Sequence, residues 1–272
     1  MTNLQDSSIT KLGVFDSGVG GLTVLKELLQ SRSGHEYIYF GDTAHVPYGS
    51  RDADEVVALV TDIAKYLVAE GCQGLILACN TSSALAISAL RATVEVPLIG
   101  VIETAARAAA QRTRGSVAVL ANPLTAASGV YKAQILNEAR HLGTEKSLEV
   151  HEIGCPDLVP IVENEELYTE HAAKTLAVYA GKLAECNADT LVLGCTHYPL
   201  LLPVFQPMLR EDIQIVNPAE LIPGYLAPSS GPGKVEYKVS GEPASFEKAA
   251  SNIVGLEVHA DRVTLGKTYE TC

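Results

Sequence analysis

The sequence predicts an α/β protein with mostly parallel sheets, and three observations carry that reading. Short apolar runs alternate with longer amphipathic segments, the rhythm of strand, helix, strand, helix. The rhythm restarts near the middle of the chain, which gives two successive α/β units. One short stretch is nearly written twice, "GLILACNTSSAL" at 74–85 and "DTLVLGCTHYPLL" at 189–201, once in each unit.

In chain order, "KLGVFDSG" reads as a strand and "GGLTVLKELLQ" as its helix. "EYIYFGD" and "RDADEVVALVTDIAKYLVAEG" repeat the pair, as do "GLILACN" and "TSSALAISALRATV". "PLIGVIE" reads as a further strand. The pattern then restarts with "ARAAAQR", "SVAVLAN", "AASGVYKAQILNEARHLG", "LEVHEIG", "AAKTLAVYAGKLAE" and "TLVLGCT". The tail adds strands in "IQIVNPA" and "KVEYKVSG", a helix in "EPASFEKAASNIVG" opened by Pro243, and a last strand around "HADRVTLG". No low-complexity linker separates the halves, so the restart alone places the boundary near 101–105. A run of alternating strands and helices buries both faces of a sheet, and such sheets are mostly parallel.

Composition narrows the function classes. A chain of 272 residues with 47% apolar residues can bury substantial cores. The formal charge of −12 gives no basic footprint, which argues against nucleic acid or an anionic membrane as primary partner. An acidic ligand would have to be held by dipoles and neutral donors. The N-terminal stretch "MTNLQDSSITK" lacks a secretory pattern, and no apolar run approaches the roughly 20 residues needed to span a bilayer, so a cytoplasmic location is expected. Six cysteines without C-x-x-C spacing point to free thiols in a reducing compartment.

Cys79 and Cys195 each stand where an apolar strand gives way to a turn. In open α/β sheets that edge is where ligands bind and where helix N-termini present free N–H groups. If the two halves face each other, the thiols face one another across a cleft. A helix N-terminus is expected to lower a thiol's pKa and supply a thiolate base. One thiol on each side of a carbon acid allows proton removal from one face and delivery to the other, which is racemisation without a cofactor. Other readings stand beside it. Both cysteines can be ordinary core residues. A redox pair would show close spacing, a zinc site of Cys79, Cys195 and His197 lacks a second local ligand near Cys79, and covalent catalysis uses one thiol and leaves the other unexplained.

A second segment suits an anion. "VFDSGVGGLTVLKEL" puts Asp16 and Ser17 at the end of the first strand, then Gly18, Gly20 and Gly21, then a helix. It is neither a dinucleotide fingerprint, because Thr23 replaces the third glycine, nor a P-loop, because Val19 follows Gly18. The loop "GDTAHVPYGSR" at 41–51 offers Tyr48 and Gly49 for ligand contact, with Tyr48 equally readable as a packing aromatic.

The ordered set "FDSGVGGLTVLKEL", "GDTAHVPYG", "LACNTSSA", "IGVIE", "CPDLVPIVE" and "LGCTHYPLL" resembles the bacterial glutamate racemases of the cofactor-independent aspartate/glutamate racemase superfamily. "YKVSGEPASFEKAA" is similar to the tail of some members. The resemblance implies two α/β domains related by a pseudo-twofold axis with the active site in the cleft between them. The first would span residues 1–101 plus 212–272, completed by the C-terminal segment, and the second 102–211. It also implies interconversion of L- and D-glutamate for peptidoglycan synthesis, no cofactor, no metal and a homodimer. Carried over by motif, Cys79 takes the α-proton from the D enantiomer and Cys195 from the L enantiomer. Asp16 assists Cys79, and His197 with Glu163 assists Cys195. Asp16, Ser17, Tyr48, Gly49, Asn80, Thr81, Thr125, Thr196 and His197 would contact substrate. These are mostly neutral donors, which hold carboxylates without a fixed cation competing for the thiolate.

Bland readings accompany these roles. His197 can be a satisfied interface histidine, and Glu163 one of the solvated carboxylates of "VENEELYTE". Cys72, Cys155, Cys186 and Cys272 read as structural or incidental. Three positions depart from the pattern: His45 for a usual arginine, Asn122 for a usual threonine, and Asn217 in "IVNPAE". An aspartate racemase is the nearest rival enzyme. A non-enzymatic alternative is a partner-binding protein, since the family includes members that inhibit DNA gyrase.

Overall fold

The computed structural model describes residues 4–32, 34–231 and 233–265. In chain order the elements are β1 (Lys11–Asp16), α1 (Leu22–Ser31), β2 (Glu36–Gly41), α2 (Ala53–Ala69), β3 (Gly74–Leu77), α3 (Asn80–Thr93), β4 (Leu98–Gly100) and α4 (Val101–Arg112). There follow β5 (Ser116–Ala121), α5 (Pro123–Ala127), α6 (Val130–Leu142), β6 (Glu149–Gly154), α7 (Leu158–Glu163), α8 (Glu170–Glu185), β7 (Thr190–Gly194) and α9 (Leu202–Phe205). The chain ends with β8 (Gln214–Val216), α10 (Pro218–Leu221), β9 (Val235–Val239), α11 (Pro243–Val254) and β10 (Ala260–Arg262). It divides into two compact units. One runs to Val101 and resumes at Ala219, and the other is Ile102–Pro218.

The first unit holds a six-stranded sheet in the order β10-β9-β2-β1-β3-β4, with every pairing parallel. Alternation along its strands feeds two cores. Leu12 and Val14 of β1, Tyr37 and Tyr39 of β2 and Ile76 of β3 pack on one face with Leu22, Leu25 and Leu28 of α1 and Phe246 of α11. Phe15, Ile38, Phe40, Leu75 and Leu77 pack on the other with Val56, Val60, Ile63 and Leu67 of α2 and Leu90 of α3. Successive strand residues point to opposite faces, so a run with no polar interruption marks a strand covered on both sides. Each fully buried large side chain contributes about 2 kcal/mol.

The second unit holds four parallel strands in the order β6-β5-β7-β8. Leu120 of β5, Leu191 and Leu193 of β7, Leu158 and Ile161 of α7 and Leu176, Tyr179 and Leu183 of α8 form its core. Asp52 caps α2 by accepting from the Asp54 N–H at 2.9 Å, and Thr169 caps α8 by accepting from the Ala172 N–H at 3.2 Å. Gly143 and Gly255 end α6 and α11 at positive φ, +73° and +76°, where a side chain would be strained.

Two expectations are corrected. "PLIGVIE" is a strand only through Gly100, because Val101 already begins α4; a short apolar run does not separate a strand from a buried helix start. The chain returns to the first unit after Pro218 rather than at 212, because β8 pairs with β7, Val192 opposite Val216. "CTHYPLL" winds as a 3-10 turn, Tyr198–Leu201, before the four residues of α9. Pro199 and Pro203 lack the N–H groups that a continuous α-helix needs. Cys72, Cys79, Cys155, Cys186 and Cys195 are free thiols, as expected. Cys272, and Gly266 at the end of the expected last strand, lie outside the described residues.

At the opposite edge of the second sheet, Asp189 ties the chain entering β5 to the start of β7. Its carboxylate accepts from the Thr113 and Thr190 hydroxyls, both at 2.8 Å, and from the Arg114 and Ser116 N–H groups, both at 3.1 Å. Burial alone would raise its pKa, but these four bonds outweigh it and lower it. Asp189→Ala is expected to destabilise the protein by about 3 kcal/mol in urea titrations at neutral pH, since buried donors lose a charged acceptor. A depressed folded pKa stabilises above the unfolded value near 3.8 and loses that contribution as pH falls through the folded one. The gap between variant and wild type therefore closes in acid, and a gap that widens there contradicts the assignment.

Candidate active site

In each sheet the chain makes its second strand on one side of the first and its third on the other. This reversal is the topological switch point, where the strand ends are left uncovered and ligands bind. Asp16 ends β1, and Cys79 follows β3 beside it, with Phe15 opposite Leu77. In the second unit Asn122 follows β5 and Cys195 follows β7, with Ala121 opposite Gly194. The cysteines hold the same place in two separate sheets.

Asp16 is buried, 1% exposed, and its Oδ1 accepts from the Gly18 N–H at 3.0 Å. Gly21 cannot bear a side chain, because a Cβ there would lie 2.4 Å from the Asp16 Cβ and 3.0 Å from the Tyr39 hydroxyl. At least this glycine of the "GVGG" run serves close packing on Asp16. Cys79 is the N-cap residue of α3, with extended backbone, and its Sγ donates to Ser17 Oγ at 3.8 Å. Asn80, Thr81 and Ser82 form the buried first turn of α3, whose leading N–H groups have no intrahelical partner. Ser82 is fully buried in that turn, beside the Cys79 sulfur.

The expected lowering of the Cys79 pKa does not occur. Burial pushes this thiol up to about 11, and the Asp16 carboxylate pushes it the same way. Ser82 and Ser17 oppose the rise without cancelling it. A helix N-terminus contributes only about half a charge. Complete desolvation beside a carboxylate outweighs it.

The 42–51 loop is anchored on Asp42. Its carboxylate accepts from the Tyr48 hydroxyl at 2.5 Å and the Ser240 hydroxyl at 2.6 Å, and His45 Nδ1 lies 2.7 Å away. Ser240 Oγ also accepts from the Ala44 N–H at 2.9 Å. Tyr48 is therefore a packing aromatic with its hydroxyl committed, its phenol held well above the usual range by burial and then by Asp42. The half-buried Gly49 and the first N–H groups of the short turn Tyr48–Ser50 are what this loop offers a ligand. His45, which stands where the family pattern usually has an arginine, places its Nδ1 against the Asp42 carboxylate.

In the second unit Cys195 Sγ lies 3.7 Å from His197 Nδ1. His197 Nε2 lies 3.2 Å from Glu163 Oε1 at the end of α7, within ion-pair reach but not aligned as a hydrogen bond. His197 is buried between the half-buried Cys195 and the exposed Glu163, so a thiol, an imidazole and a carboxylate stand in series. Thr125 and Thr196 are buried. Asn122 caps α5 by accepting from the Leu124 N–H at 3.2 Å, which accounts for an asparagine there.

Sequence reasoning missed Tyr39, Ser82 and Tyr131. Tyr131 is fully buried, and after burial itself the charge of Cys195 is the largest influence raising its phenol, so it stands within electrostatic reach of that sulfur. Nothing in the spacing of "SGVYKAQ" separates it from a core aromatic. Among the described residues no group of three or more His, Cys, Asp or Glu side chains could hold a metal ion, and no helix is long and apolar enough to cross a membrane.

Residues 16–222 match the Asp/Glu/Hydantoin racemase family. The chain is 37% identical to the glutamate racemase of Gloeothece citriformis, over 93% of this chain and 92% of that one. It is 40% identical to that of Geobacter metallireducens, over 90% and 92%. Among solved structures it is similar to glutamate racemase isoform RacE1 from Bacillus anthracis, at 34% identity and a TM-score of 0.86, covering 94% and 98% of the chains. It is also similar to glutamate racemase from Francisella tularensis in complex with D-glutamate, at 26% identity and a TM-score of 0.85, covering 96% and 99%. A fold of two parallel sheets, each with a cysteine at its switch point, and this likeness over nearly the whole chain agree: the protein belongs to the Asp/Glu/hydantoin racemase family, alongside its glutamate racemases.

Proposed function

We propose that this enzyme interconverts L- and D-glutamate by a two-thiol mechanism without a cofactor. The observation that carries the reading is the equivalent placement of Cys79 and Cys195 at the switch points of two parallel sheets. From D-glutamate, the Cys79 thiolate takes the α-proton, leaving a carbanion at Cα, and the Cys195 thiol delivers its proton to the opposite face. L-glutamate leaves, with Cys79 now protonated and Cys195 a thiolate. The reverse turnover uses the same groups in exchanged roles, and proton exchange with water resets the enzyme for another forward one.

Each assisting group has a stated task. Asp16, beside Cys79, holds the substrate ammonium, whose positive charge offsets the burial and the carboxylate that together keep the thiol protonated. His197, oriented by Glu163, shares a proton with Cys195. Neutral donors hold the carboxylates: the hydroxyls of Ser17, Thr81, Thr125 and Thr196, the Asn80 amide and the N–H groups of Tyr48 and Gly49. Such preorganised donors stabilise charge that develops as the α-proton leaves. The reading extends to supply of D-glutamate for peptidoglycan, to a cytoplasmic location and to a homodimer.

Circular dichroism of L-glutamate incubated with the purified, reduced enzyme is expected to decay to zero while L-aspartate keeps its signal. Decay with aspartate alone would reassign the substrate, and decay with neither would overturn the reading. Cys79→Ser and Cys195→Ser are each expected to lower kcat by about a thousandfold or more with a folded far-UV spectrum, as loss of an acid-base group that acts in both directions requires. Because burial keeps the Cys79 thiol protonated through the neutral range, its alkylation by iodoacetamide without substrate should be slow at neutral pH and accelerate as pH climbs toward about 11. Peptide mass spectrometry reads the rate, and labelling at neutral pH as fast as that of free cysteine contradicts the burial argument.

A further inference from the structure

Tyr39 lies in the middle of β2, fully buried, and its hydroxyl donates to the Gly18 carbonyl at 2.7 Å. Gly18 in turn donates its N–H to the Asp16 carboxylate. Ser17, between the two, carries the hydroxyl that accepts from Cys79. A phenol thus holds the far end of the three-residue turn that supplies two of this thiol's polar neighbours, Asp16 and Ser17. The phenol has its own support. The Phe246 ring of α11 stacks on it with centroids 5.9 Å apart and planes 28° apart, and Tyr237 of β9 lies at 6.4 Å. Both belong to the segment that returns to this unit after the second one is built. The space is filled: a Cβ on Gly41 would meet the Gly18 carbonyl at 3.0 Å and Phe246 at 3.2 Å, and one on Gly21 would reach the Tyr39 hydroxyl.

We infer that Tyr39 is a positioning residue for proton transfer at Cys79, holding the Asp16–Ser17–Gly18 turn in place, with Phe246 of the C-terminal return as its prop. The inference rests on the two-thiol reading. The hydrogen bond of the tyrosine goes to the Gly18 carbonyl, and its effect on the turn passes through that carbonyl. A phenyl ring in its place leaves that buried carbonyl without its donor, and the turn relaxes away from the geometry Cys79 needs. The burial and neighbouring charges that hold this phenol far above its usual range keep it a donor at any working pH.

The test compares Tyr39→Phe with wild type, using α-deuterated D- and L-glutamate. Enantiomers are equal in free energy, so kcat/KM must fall equally in both directions, by roughly tenfold for a misplacement well under 1 Å. The direction-specific signature lies in the primary isotope effects. With proton transfer at Cys79 made more rate-limiting, the effect rises for D-glutamate, whose deuterium Cys79 removes, and falls for L-glutamate. Isotope effects that move together, or a kcat/KM within about twofold of wild type, overturn the inference. Phe246→Leu keeps the phenol and removes the stacked ring; the same asymmetry at smaller size is expected, and it decides the matter if Tyr39→Phe does not fold. Wild-type enzyme that leaves both deuterated enantiomers unchanged overturns the two-thiol reading and this inference with it, whereas active wild type with unaltered variants overturns the inference alone.

Discussion

The parallel pairing of the first strand with the third in each sheet is the constraint on which the rest depends. Parallel neighbours cannot be joined by a hairpin, so every connection crosses a face of the sheet. In the first unit α1, which follows β1, packs on one face and α3, which follows β3, packs with α2 on the other, so the chain leaves β1 and β3 in opposite directions. The carboxyl ends of those two strands are then left without a crossing helix above them. Asp16 and Cys79 occupy that gap in one unit, and the strand ends leading to Asn122 and Cys195 make it in the other. The site residues are far apart in sequence because the topology requires it.

Two thiols in the same topological place have different neighbours. Cys79 lies in a fully desolvated setting beside a carboxylate, and both influences favour its protonated form. Cys195 lies beside an imidazole whose other nitrogen faces a carboxylate. The proposed mechanism asks the two thiols to exchange roles, and the two halves support them with different groups. Buried polar groups around these sites are held in place by packing: Gly21 against Asp16, Tyr39 under Gly18, Asp42 under the 42–51 loop.

The parts of this arrangement that could be read from the sequence are those written in local pattern. Uninterrupted apolar runs announced the strands, because both faces of each sheet are covered, and the repeated cysteine announced the switch points before any sheet order was available. The resemblance picked Glu163 out of a run of carboxylates, and the structure sets that one beside His197. What stayed hidden depends on through-space neighbours. Tyr39 reads as one more core aromatic in "EYIYFG", and its hydroxyl acquires a task only because Gly18 lies above it. The Cys79 pKa was expected to fall from helix geometry alone; burial, which no local pattern gives, reverses the sign. The return point was misplaced because the three-residue β8 is short enough to belong to either unit until its partner is seen.

The central claim is that two thiols, not one, handle the α-proton. It is tested most directly by incubating L-glutamate with the enzyme in D2O and following early conversion by proton NMR and chiral separation. The two-thiol account predicts that the first D-glutamate formed carries deuterium at Cα while the remaining L-glutamate still carries its proton, because the incoming hydrogen comes from a second group equilibrated with solvent. D-glutamate that retains the original proton, or L-glutamate that exchanges as fast as product forms, would show a single group working on both faces and would contradict it.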